Sequence, residues 1–178
     1  MSILRNKYKI GFSHKILLKV KIFFKNLIIY LISLALLTIL IVPITSTSNL
    51  IWLSSMEMPI GLSEVFSVLL ADLLNLGIIL FLILLLPFGL GLIISKYTIK
   101  FIPLPANIWY FFISSLTMWL VLISTVEFLF QTEVIAGNRT SLGTFLHVMA
   151  GGIAGSVFYN LRYRMFVWRI SLSLDCSH

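Results

Sequence analysis

Cysteine and charge are what this 178-residue chain has least of. A lone cysteine, Cys176, cannot form an internal disulfide, and no Cys/His spacing reads as a metal site. Only 11% of the residues are charged and 60% are hydrophobic, with a mean hydropathy of +1.07. Soluble domains carry roughly a quarter charged residues, so a soluble fold of this size is excluded. At about 20 apolar residues per crossing, the length allows four or five spans with short loops and leaves no room for a large extramembrane domain.

Catalytic signatures are missing as well. The glycine-rich stretch Gly151 to Gly155 sits inside an apolar run and not between a strand and a helix, which fails the context of a dinucleotide fingerprint. There is no nucleophile elbow and no zinc-protease HExxH. No cofactor and no metal is expected. The triplet Asn138-Arg139-Thr140 fits a glycosylation acceptor, a short pattern with a high chance rate.

Four apolar runs are present. The first, Asn26 to Ile44, carries no charge; it starts too far in, and is too long, for a signal-peptide core. The second, Ser63 to Ser95, is longer than an upright helix requires, and Pro87 with Gly89 and Gly91 predicts a kink. Ser63 is the expected N-cap, with Glu64 favourable in the first turn. The third, about 107–130, follows the breaker Pro103-Leu104-Pro105 and places Trp109 and Tyr110 where an interfacial aromatic belt falls. The fourth, 141–161, is diluted by glycines and His147 and is the weakest in hydropathy.

These runs predict one all-α membrane domain over 1–178, a polytopic integral membrane protein with four transmembrane helices. Its parts are a basic tail at 1–25, spans at 26–44, 63–95, 107–130 and 141–161, outer loops at 45–62 and 131–140, an inner loop at 96–106 and a tail at 162–178. Basic residues are retained on the cytoplasmic side, so their distribution tests orientation. Twelve of the 13 Lys and Arg fall in the N-terminal tail (Arg5 to Lys25), the central loop (Lys96, Lys100) and the C-terminal tail (Arg162, Arg164, Arg169). Only Arg139 lies in a segment that four spans place outside. Both termini are expected inside.

Within the basic tail, Ile16, Leu17, Val20, Phe23, Phe24 and Leu27 share one helical arc, and Lys15, Lys19, Lys21 and Lys25 share the other. This predicts a basic amphipathic helix on the inner leaflet, attracted to anionic lipid headgroups. The formal charge of +7 therefore points to a membrane surface; no nucleic-acid module is visible.

The main polar feature is a set of groups near the outer ends of the spans: Glu64, Asp72, Asn75, Glu127, Glu133, Arg139 and His147. Intramembrane ionisable groups are costly, so they are either paired or functional. In the fourth span Gly143, His147, Gly151 and Gly155 recur every four residues, with Gly152 alongside, which makes a smooth face for close helix approach. Spacing does not say whether the neighbouring helix belongs to this chain or to a partner.

The leading expectation is a small noncatalytic integral membrane protein, an accessory or assembly subunit that packs through the glycine face, with a membrane-protein partner or a second copy. An oligomeric transporter or channel subunit using Asp72, Glu127 and His147 is the alternative, and a membrane-embedded lipid-modifying enzyme is the third. The lysine-rich tail, without an Arg/Ser-rich leader, makes the bacterial inner membrane the expected location.

Overall fold

Four long helices follow one another in the computed structural model, which describes the backbone of residues 2–54, 61–125 and 141–175 and the side chains of 19–51, 53–54, 61–125 and 141–165. They are α1 (Ser2–Ser54), α2 (Leu62–Thr98), α3 (Ala106–Ser124) and α4 (Ser141–Asp175), with a short 3-10 turn at Ile99–Phe101 after α2. There is no strand among the described residues. Each helix contains a stretch long and apolar enough to cross a membrane: Lys19–Ile51, Leu62–Phe101, Ala106–Ser124 and Ser141–Met165. Helices are the expected solution, because a bilayer offers no water to satisfy an open backbone.

The helices form a ring in which α1 lies beside α2 and α4, and α3 lies beside α2 and α4. Cross-contacts run antiparallel. Tyr30 meets Phe88 while Ser46 meets Asp72, and Gly91 faces Thr117 while Thr98 meets Trp109. On α1 the buried positions Leu34, Leu37, Thr38, Ile41, Val42, Thr45 and Ser46 recur at three- and four-residue steps. That spacing keeps one stripe of a 3.6-residue helix turned to its neighbours. The opposite faces leave Leu70, Leu74, Ile78, Leu82 and Leu86 of α2 and Phe112, Leu116 and Leu120 of α3 exposed, which suits contact with acyl chains and not with water.

Several expected boundaries need correction. The outer loop expected at 45–62 begins later, since α1 runs unbroken through Pro43 to Ser54. Hydroxyls explain this. Thr45 donates to the Ile41 carbonyl at 3.1 Å, Ser48 donates to the Ile44 carbonyl at 2.8 Å, and Thr47 donates to the Pro43 carbonyl. A Ser/Thr run bonded back to the preceding turn satisfies itself without leaving the helix. The tail expected from residue 162 is likewise helical to Asp175. The basic segment 15–27 is helical and joins the first span with no break.

At the start of α2 the N-cap is Gly61, not Ser63. The Glu64 carboxylate reaches back to accept from the Gly61 N–H, which is the returning half of a capping box. Pro87 sits inside α2 without ending it. Beside it, Gly89 leaves room for the Tyr30 hydroxyl to donate to the Leu85 carbonyl, a tie between α1 and α2.

The glycines of α4 close the seam with α3. A Cβ on Gly151 would lie 2.7 Å from Met118 Cβ and 3.0 Å from the Ser114 carbonyl oxygen. One on Gly155 would lie 2.7 Å from the Tyr110 carbonyl oxygen, and Gly152 abuts Ser115 and Phe111. Small residues let the two backbones approach to this distance. The neighbour of the glycine face is therefore a helix of the same chain.

Candidate functional site

Two consecutive residues of α1, Thr45 and Ser46, stand between the polar groups of α2 and α4. Both lie on the buried stripe, one step beyond Ile41 and Val42, and are 2% and 0% exposed. Consecutive positions on a helix point about 100° apart, so the pair can address two neighbours at once. Ser46 turns to α2 and donates to Asp72 Oδ2 at 2.6 Å, a charge-assisted contact when the carboxyl is ionised. Thr45 turns to α4, where its Oγ1 lies 3.0 Å from His147 Nε2.

His147 is fully buried. Its Nδ1 is 2.6 Å from the Gly143 carbonyl oxygen, which can only accept, so Nδ1 carries a proton. In the neutral ring Nε2 is then the acceptor, and Thr45 must donate to it. The same Thr45 hydroxyl has a second acceptor in Ile41, and a hydroxyl has one proton to give. A neutral His147 makes these two acceptors compete. A charged ring would donate from both nitrogens and let Thr45 keep its bond to Ile41, at the cost of a buried cation.

Of the residues expected to form the outer cluster, Asp72 and His147 are joined to the same turn of α1. Glu64 does not join them, because it caps α2. Asn75 does not either; its Nδ2 donates to the Ala71 carbonyl at 2.9 Å on an exposed face. Glu127, Glu133 and Arg139 lie outside the described residues, as does Cys176. No group of three or more His, Cys, Asp or Glu able to hold a metal occurs among the described residues.

The period-four row of α4 does not stay on one face. Four residues turn a helix by about 400°, so each step of the row drifts by about 40°. His147 accordingly meets α1, while Gly151 and Gly155 meet α3. Gly143 serves through its carbonyl, as the acceptor for His147.

Thr45 and Ser46 do not stand out in the sequence, because neutral hydroxyls inside an expected outer loop carry no signal of their own. Extending the buried period Leu34, Thr38, Val42 by one more step would have reached Ser46.

At the other end of the bundle lies a cavity of about 530 Å³, lined by Lys25, Lys96 and Arg162 with Tyr110, Tyr159 and Tyr163. Charge counting assigned these cations to three separate cytoplasmic segments. Helix packing gathers them.

Fold and span lengths together define an integral membrane protein of the polytopic helical class. Comparison with protein-family models, with curated proteins and with solved structures yields no match for the chain.

Proposed function

We propose that this chain is a small noncatalytic integral membrane protein, an accessory or assembly subunit, oriented with both ends on the cytoplasmic side of a bacterial inner membrane. The observation that carries the noncatalytic reading is how Asp72 and His147 are engaged. Each is bonded to an α1 hydroxyl, so the two act as ties that hold α1 to α2 and to α4. Burial of polar groups in a bilayer demands such partners, and pairing them across helices is the common structural use.

The partner surface differs from the one the glycine row suggested. Gly151, Gly152 and Gly155 are covered by α3, so a partner would approach the bundle from a lipid-facing side. The orientation rests on twelve of the 13 basic residues falling in alternate segments.

The competing transport reading assigns a moving proton or ion to the same two groups. Proteoliposomes containing the full chain distinguish the two. Proton or cation flux is expected to match that of empty liposomes, with Asp72→Asn and His147→Ala lowering only resistance to unfolding. Flux above background that these substitutions abolish would replace this proposal with a transporter subunit.

A further inference from the structure

We infer that the cavity at the basic end of the four membrane-length stretches is a binding site for the headgroup of an anionic phospholipid. Three cations from three different helices line it: Lys25 of α1, Lys96 in the last turn of α2, and Arg162 of α4. Like charges brought to one space repel, and the repulsion is strongest where low-dielectric protein and lipid replace water. An anion between them removes that cost. The described side chains offer no internal one, because the only carboxylates among them, Glu64 and Asp72, stand near the opposite end of α2. Asp72 is 24 positions from Lys96, about 36 Å along a helix at 1.5 Å per residue.

The remaining walls match a phosphodiester. Arg162 supplies a planar guanidinium, the group best shaped for two phosphate oxygens at once. Ala106, the first residue of α3, lines the same space, which brings the positive end of that helix's dipole to the site. Tyr110 and Tyr159, with ring centroids 5.3 Å apart, continue to Tyr163 at 6.1 Å and form one aromatic wall. The Tyr110 hydroxyl is hydrogen-bonded to Arg162 and so helps to place the guanidinium, and the Tyr159 and Tyr163 hydroxyls can serve glycerol or phosphate oxygens. The volume falls within the ~300–1,000 Å³ of small-molecule sites.

A lipid, and not a free phosphate, is favoured by position and by the rest of the lining. The cavity lies near the ends of the four membrane-length stretches, beside Lys19, Phe101, Ala106 and Met165, which corresponds to headgroup depth, and Ile22, Ile29 and Met165 line it beside the cations. Those apolar surfaces suit acyl chains and offer nothing to a hydrated ion. Basic pockets between transmembrane helices are a recurrent way to hold such headgroups. Lys25, the last lysine of the N-terminal tail, is shared, but Lys96 and Arg162 distinguish this site from surface attraction by Lys15, Lys19 and Lys21, and it stands whether or not the chain proves to be an accessory subunit.

The test is native mass spectrometry of the full chain released from mild detergent, with phosphatidylglycerol, phosphatidylcholine or inorganic phosphate added. The wild type is expected to retain phosphatidylglycerol and to lose phosphatidylcholine. Neutralising the cavity with Lys25→Gln, Lys96→Gln and Arg162→Gln together should weaken retention about a hundredfold, about fivefold for each cation. The tail variant carrying Lys15→Gln, Lys19→Gln and Lys21→Gln should still hold the lipid. Should the triple variant not fold, Lys96→Gln alone, at an exposed side chain, is expected to show the fivefold loss. Equal retention of the two lipids would overturn the inference. So would loss in the tail variant with none in the cavity variants, or displacement of the lipid by millimolar phosphate, which would assign the cavity to a free anion.

Discussion

The seam between α3 and α4 and the seam that α1 makes with α2 and α4 differ in what chiefly closes them. Between α3 and α4 the backbones come together because Gly151, Gly152 and Gly155 present no side chain, and the hydroxyls of Ser114 and Ser115 are buried there without a hydrogen-bond partner. Around α1 the helices are joined by full-sized side chains and by directed bonds: Tyr30 to Leu85, Ser46 to Asp72, Thr45 to His147. In a bilayer, lipid tails are as apolar as leucine, so hydrophobic burial does not drive helices together. What remains is close packing or hydrogen bonding: packing dominates the glycine stretch of the α3–α4 seam, which adds only a long bond from the Ser156 hydroxyl to the Asn107 carbonyl at 3.5 Å and one between Tyr110 and Arg162, and directed bonds dominate around α1.

The two seams should therefore fail differently. The largest effect is expected at Gly155. Adding a methyl group there forces it against the Tyr110 carbonyl and the Ser114 side chain, and a backbone atom cannot rotate away. Gly155→Ala should cost about 3 kcal/mol, the upper range for overpacking, read as the shift in reversible unfolding in mixed micelles. A loss no greater than that of a lipid-facing substitution would show that the seam is looser than described.

Thr45→Val should come next. It keeps the shape and removes the hydroxyl, leaving His147 Nε2 without its partner in a fully buried position. A stranded buried polar atom costs about 1–3 kcal/mol, while interhelical bonds in membranes measure nearer 0.6. An intermediate loss of about 1 kcal/mol in the same assay is expected. A neutral result would mean that α1 is held by packing alone.

Smallest of all should be Ser114→Ala. The hydroxyl is buried and makes no bond, so its removal takes away a desolvation cost and no contact of value. Stability is expected to hold within about 0.5 kcal/mol or to rise slightly. A drop comparable to that of Thr45→Val would reveal a partner for this hydroxyl and erase the contrast between the seams.

The spans were legible because their signal is local. A run such as Asn26 to Ile44, free of charge, needs no neighbour to be read as a crossing. Helix ends are less legible. The Thr45–Ser48 run resembles a loop in composition, and only bonds to the preceding turn show that it stays helical. Period four in α4 suggests a single face, but its drift divides it between α1 and α3.

Composition and the placement of basic residues were thus sufficient for the class of protein and the number of helices, because the bilayer requires every spanning backbone to satisfy itself. Which side chains meet was settled by packing. Asp72 and His147 share one turn of α1, and Lys25, Lys96 and Arg162 share one cavity, although each belongs to a separate segment. Hydropathy reports how each segment partitions between water and lipid. It says nothing of which way a helix is rotated, and rotation is what brought these groups together.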